Sequence, residues 1–199
     1  DKDGAFFGVF DGHGAQGDLC AQYARDHVQS RFAARLRGGE TAFGTESAYR
    51  QCFNEANAML HATPAIDDSL SGTTAVTVYI RDGGTLEVAN VGDSRVIIVS
   101  VDPSSTDRKK LVARPLSIDQ TPFRKDERER CKLEGARIMT MDQLEGLAPM
   151  HEDWGVNLGE EIDDGGDPPR IWASDGRYPG TAFTRSIGDH IAEGLGVYA

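Results

Sequence analysis

Cysteine is scarce in this 199-residue sequence: Cys20, Cys52 and Cys131 are far apart, odd in number and never spaced as C-x-x-C. Such spacing offers neither a zinc site nor a disulfide framework, and it fits a reducing intracellular compartment, cytoplasmic or nuclear. Long apolar runs are missing too, with nothing near the roughly 18 residues of a membrane span. The opening Asp1-Lys2-Asp3-Gly4 has no apolar h-region and no initiator Met, so it is not a signal peptide, and residue 1 is expected not to be the natural start. Positive charge is in deficit, with 21 basic against 32 acidic residues and a net charge of −11. A chain this acidic repels nucleic acid and anionic membrane, so neither is an expected partner.

What remains is an ordinary globular composition, 39% hydrophobic and 27% charged, long enough for one domain with a sizeable core. Ala5 to Phe10 is a short aromatic and apolar run that ends in Asp-Gly, as a buried strand does on entering a turn. From Asp18 to about Arg37, Leu19, Tyr23, Val28, Phe32 and Leu36 recur at helical spacing before Gly38-Gly39. A second helix is expected from about Thr45 to His61, with Tyr49, Phe53, Ala56 and Leu60 inward and Pro64 beyond its end. The period then changes. Thr73 to Ile80, Thr85 to Val91 and Arg95 to Val101 read as a β-meander, with a short strand near Leu111 to Arg114. Phe123 to Glu134 is a charged helix with Gly135 placed as its C′ residue. From Met141 to Pro179 no period is legible, and a stretch this long reads as a functional loop or flap. Strand blocks flanked by helices predict an α+β fold of antiparallel sheets covered by helices.

Several segments could carry chemistry. Asp11-Gly12-His13-Gly14 sets a carboxylate, a permissive glycine and an imidazole at the end of a strand. Hard cations such as magnesium and manganese take oxygen ligands, which a strand-end Asp and the next carbonyl could supply, and His13 could protonate a leaving oxygen beside them. Taken alone, the same four residues read as readily as a tight turn with an Asx-type hydrogen bond. Ser71 to Ala75 reads as strand-entry chemistry, Asn90 to Arg95 as a tight hairpin with an Asp93–Arg95 pair, and Asp119 as a loop acid or cap. None is specific alone.

Their order is specific. Phe10-Asp11-Gly12-His13-Gly14, then Ser71-Gly72-Thr73-Thr74-Ala75, then Asn90-Val91-Gly92-Asp93-Ser94-Arg95 follow one another along the chain. Next come Ser117-Ile118-Asp119-Gln120-Thr121-Pro122 before the charged helix, and finally Thr184-Arg185-Ser186-Ile187-Gly188-Asp189. From about Phe6 to Asp189 this resembles the metal-dependent (type 2C, PPM) serine/threonine protein phosphatases. Asp167-Pro168-Pro169-Arg170 and Tyr178 to Phe183 also resemble a plant and protist branch in which the phosphatase can be joined to cyclic-nucleotide-binding and kinase domains.

The resemblance implies a four-layer α-β-β-α sandwich of two mostly antiparallel sheets flanked by helices, incomplete at both ends, with residues 1–199 as a partial domain and a flap-like insertion at about 141–180. It implies hydrolysis of phosphoserine and phosphothreonine in phosphoprotein substrates by a metal-bridged water. Asp11 would bridge two magnesium or manganese ions, the Gly12 carbonyl would bind one of them, and Asp119 matches a ligand of a weaker third ion in some members. His13 would be the general acid. Ser71 to Thr74, Asp93, Arg95, Arg185 and Asp189 match scaffold positions. The family's phosphate-gripping Arg and metal-binding Glu would lie before Asp1, and its D-G-x-W-D and G-D-N segments after Ala199. Asp175 is expected to be a flap turn. Residues 1–199 alone are therefore expected to bind metal weakly and turn over poorly, and to self-associate through exposed sheet edges. The alternative is a catalytically impaired, phosphatase-like regulatory or interaction module.

Overall fold

A computed structural model describes residues 4–39, 45–81, 84–104, 109–155 and 166–199. The first amphipathic stretch forms α1 (Gly17–Gly38), and it buries a single i, i+4 stripe of Cys20, Ala24, Val28 and Phe32. Val28 and Phe32 lie inward as expected, but Leu19 lies beside the stripe and stays 39% exposed, so at the start of the helix Cys20 takes the inward place expected of it. Gly39 ends the helix at φ 76°, a left-handed conformation that costs glycine little. The second stretch forms α2 (Glu46–His61), with the four expected residues buried together with Ala48 and Cys52. Phe32 stacks on Tyr49 at 4.3 Å and meets Tyr79 edge-on at 5.5 Å, which ties both helices to the strands beneath them.

Those strands are β1 (Ala5–Val9), β2 (Gly12–His13), β3 (Gly72–Thr73), β4 (Ala75–Arg81) and β5 (Thr85–Val91). β4 lies between β1 and β5, and β3 lies between β2 and β11 (Ile187–Gly188). Val9 faces Val76 and Gly12 faces Thr73 in one uninterrupted antiparallel register. The two ladders are therefore a single pairing that breaks at Asp11 and Thr74. At the break the Thr74 N–H donates to the Asp11 carbonyl at 3.0 Å, and the Asp11 N–H donates to the Thr74 hydroxyl at 3.1 Å. Asp11 thus stands where the strand leaves regular pairing but is still held on both backbone groups.

The expected meander is corrected. β6 (Ile97–Val101) pairs with β7 (Leu111–Pro115) in a separate two-stranded sheet instead of returning along β5. Gly92, at φ 95°, turns the chain away, and the Gln120 side chain occupies the place a neighbouring strand would take. Gln120 accepts from the Gly92 N–H at 2.7 Å and donates to the Asn90 carbonyl at 3.3 Å.

The stretch expected to be structureless is also corrected. Its described residues contain α4 (Met141–Glu145) and β9 (Arg170–Trp172), the central strand of a three-stranded sheet with β8 (Arg137–Met139) and β10 (Pro179–Thr181) on either side. Asp175 lies in an exposed turn between β9 and β10, as expected. Residues 156–165 of the flap-like segment lie outside the described residues. α3 (Lys125–Leu133) ends at Gly135, φ 89°, with the Ala136 N–H returning to the Cys131 carbonyl at 3.1 Å. This half has its own core of Cys131, Ile138, Trp154, Ile171, Ala192 and Val197. All strand pairs are antiparallel, as expected, but among the described residues they form four small sheets. Phe7, Val9, Ile97, Val99, Val101 and Leu111 are exposed on β1, β6 and β7.

Candidate active site

Asp11 and His13 open into a cleft of about 390 Å³ that is also lined by Thr74, Asp93, Arg170, Thr181, Phe183 and Asp189. A second hollow of about 380 Å³ shares Asp93 and Ala182 with it and adds Arg95, Asp119 and Arg124. Asp93 is thus the hinge between the two. Its side chain reaches solvent, yet the protein around it raises its pKa by desolvation, and the Asp119 and Asp11 carboxylates raise it further. Carboxylates gathered around a solvent-reached cleft form a donor set suited to a hard cation. Asp119 carries a prior commitment, because Arg95 holds it bidentately at 2.9 and 2.8 Å. The arginine therefore pairs with Asp119 and not with Asp93, the partner expected from the hairpin.

Gly12 is required by the packing of β2 on α1. A Cβ there would lie 2.0 Å from the Gly17 carbonyl oxygen, so the glycine lets β2 pack directly on the start of α1. Gly72 is required for the histidine. In β11–β3–β2 it sits between Gly188 and His13, and a Cβ on it would lie 2.3 Å from Asp189 Oδ2. The Asp189 carboxylate crosses over this bare backbone to meet His13 Nε2 at 2.6 Å. Asp189 is 2% exposed and adopts φ 52°, a strained conformation held by its N–H donating to the Ser71 carbonyl at 2.9 Å. The Phe183 ring closes the other side of His13 at 4.4 Å.

Comparisons with known proteins give the family and the fold. The model of the protein phosphatase 2C family matches residues 1–194. The chain belongs to the protein phosphatase 2C family. It is 48% identical over 196 residues to the probable protein phosphatase 2C 35 of Arabidopsis thaliana, which covers 98% of this chain and 52% of that protein. It is 30% identical to the probable protein phosphatase 2C 64 of Oryza sativa subsp. japonica, covering 99% of this chain and 41% of the relative. The chain thus spans about half the length of the curated relatives it matches. Among solved structures, a serine-threonine phosphatase 2C from Toxoplasma gondii superimposes on the whole chain with a TM-score of 0.72, 17% identity and 62% of its own length covered. A sex determining protein of C. elegans superimposes on 96% of the chain with a TM-score of 0.67, 19% identity and 37% of its length covered. Both show the fold.

Within this phosphatase 2C chain the structure brings Asp11, Gly12 and His13 together and sets Asp119 beside them across Asp93. Three contributors were not legible as site residues. Gln120 also accepts the Thr184 N–H on its carbonyl at 2.8 Å, so it locks the Asp93 turn and the segment leading to Asp189 into one unit. Arg170 lines the cleft with its Nε buried and without a hydrogen-bond partner, while Nη1 donates to the Gly180 carbonyl at 3.1 Å. Its only sequence signal was its place in Asp-Pro-Pro-Arg.

The third contributor is Glu127, buried in α3. It accepts from Arg130 at 2.7 Å, from the Thr184 hydroxyl at 2.6 Å and from Arg185 at 3.2 Å. Burial alone would raise its pKa, but Arg130, Thr184 and Arg185 outweigh it and hold the pKa at about 2. This network anchors the strand segment that ends at Asp189.

Proposed function

We propose that this chain carries the catalytic site of an enzyme that hydrolyses phosphoserine and phosphothreonine in proteins with magnesium or manganese. The observation that carries the reading is one cleft holding the acidic pair Asp11 and Asp93, an oriented histidine and a partly unpartnered arginine. Asp11, the Gly12 carbonyl and Asp119 would hold the ions, two in number with a weaker third at Asp119, and these would neutralise phosphoryl charge and activate water.

The protein's own groups do the rest. Arg170 offers its guanidinium to the phosphoryl oxygens, a charge-assisted contact that fixes the phosphate in the cleft. Asp189 fixes the His13 ring through Nε2 at 2.6 Å. Nδ1 is then the nitrogen able to pass a proton to the departing serine or threonine oxygen. Phe183 restricts water at the ring face. A phosphatase-like interaction module has no chemical need for a histidine held this way.

An intracellular site of action belongs to the same proposal. So does the branch joined to cyclic-nucleotide-binding and kinase domains, which rests on Asp167 to Arg170 and Tyr178 to Phe183. No relative named above is described by such domains.

Phosphate release from a phosphothreonine peptide by the full-length protein tests the reading. Release is expected with manganese and not with a chelator in its place. Arg170→Lys is expected to raise KM about tenfold, roughly 1.4 kcal/mol of phosphate binding, with kcat little changed. Chelator-resistant release would overturn the metal requirement, and an unchanged KM would remove Arg170 from the phosphate contact.

A further inference from the structure

Away from the cleft, His61 at the end of α2 meets His190 and Glu193 of α5 (His190–Glu193). One ligand-capable atom from each of the three lies within 4.8 Å of the others. His61 Nε2 is 3.0 Å from Glu193 Oε1, and His190 Nδ1 is 3.9 Å from Glu193 Oε2. The two histidine rings pack edge to face at 4.7 Å. In a tetrahedral site with bonds of about 2.0–2.1 Å, neighbouring donors stand roughly 3.3 Å apart, so these spacings need only small side-chain adjustments.

We propose that His61, His190 and Glu193 form a binding site for a divalent transition ion of the zinc class. The donors are two imidazoles and one carboxylate, a softer set than the oxygen donors at Asp11, which selects zinc over magnesium.

The surroundings support the site. His61 Nδ1 is hydrogen-bonded to Asp68 Oδ2 at 2.5 Å, and Asp68 is buried. That bond fixes the ring and leaves Nε2 as the coordinating nitrogen, the arrangement of metal-bound histidines backed by a carboxylate. Asp68 is itself placed by its carbonyl, which accepts from the His190 N–H at 3.0 Å. Asn57 donates to Glu193 Oε1 at 2.5 Å and orients the carboxylate. His190 is 64% exposed, which gives an ion a direct path from solvent and leaves the fourth position to water.

On binding, the ion takes the place of the proton shared between His61 Nε2 and Glu193 Oε1, and that proton passes to solvent. The ion ties α2 to α5, whose first residue follows Asp189 directly. Thiols do not compete for it: the three cysteines are buried, and burial pushes the Cys20 and Cys131 thiols up to about 11.

Zinc alone, titrated calorimetrically into the protein in excess magnesium, tests the proposal. One equivalent is expected to bind, with affinity lowered about tenfold or more by His190→Ala and retained by Asp11→Asn. Zinc is also expected to raise the melting temperature of the unsubstituted protein and not that of His190→Ala. The His190 side chain is largely exposed, so the zinc-free melting of this variant should match that of the unsubstituted protein. Absence of uptake, uptake unaffected by His190→Ala, or uptake lost with Asp11→Asn would each overturn the site, the last by assigning zinc to the acidic cleft.

Discussion

Replacing Glu127 by glutamine is expected to destabilise the fold by about 3–5 kcal/mol, because the change removes the buried charge that compensates the half-buried Arg130 and Arg185. Glutamine can still accept one hydrogen bond but presents its amide N–H groups to two guanidinium groups. In a chain of this length the loss corresponds to a melting temperature lower by about 10 °C.

The same carboxylate sets an acid dependence with a definite sign. Its pKa falls from 4.5 in the unfolded chain to about 2 when folded. Its contribution is therefore fully present above about pH 4.5 and disappears as the pH falls towards 2. The stability gap between the unsubstituted protein and Glu127→Gln should narrow over that interval and be flat above it. Urea unfolding of both proteins between pH 3 and pH 7 measures this directly, and a constant gap would place the destabilisation in packing and not in charge.

Phosphate release by the full-length protein carrying Asp11→Asn is expected to fall about 10²- to 10⁴-fold, since an ion-holding carboxylate supplies several kcal/mol to the reaction. The fold should not suffer. Asp11 is held through its backbone, with Thr74 on both sides, and neither bond involves the carboxylate. Removing the charge also relieves Asp93, whose pKa Asp11 helps to raise. Melting in the presence of a chelator is therefore expected to be unchanged or slightly higher. A melting temperature that falls together with activity would show that Asp11 acts through structure.

Much of the fold was legible where one pattern ran long enough. α1 and α2 each present several turns of apolar spacing, and β4 and β5 are seven residues each. β8, β9 and β10 have three residues apiece, too few to display a period of two, so β9 was read as part of a loop and its two neighbours were not read as strands. One local signal was present and unused. Thr140 and Gln143 stand in the spacing of a capping box, and they make both of its hydrogen bonds, at 3.1 and 3.0 Å.

For the site, the order of motifs pointed to the corner at Asp11 and His13, but not to what holds it. The Asp189–His13 bond joins residues 176 positions apart in sequence. Only the register of β2, β3 and β11 reveals that Gly72 makes room for it. Arg95 illustrates the opposite error: two residues from Asp93 in sequence, it reaches Asp119 across the turn, because Gly92 sends the chain away from β5. Gln120, a polar side chain beside a proline-marked helix start, carries no sign that it replaces a strand.

The central proposal is that Asp11, the Gly12 carbonyl and Asp119 hold divalent cations beside Asp93. Manganese titrated into the protein and followed by the electron paramagnetic resonance of the free ion tests it most directly, since it requires no turnover. Bound manganese that excess magnesium displaces, and that Asp11→Asn weakens by about tenfold or more, is the expected result. Manganese bound equally well by Asp11→Asn, or not displaced by magnesium, would contradict it.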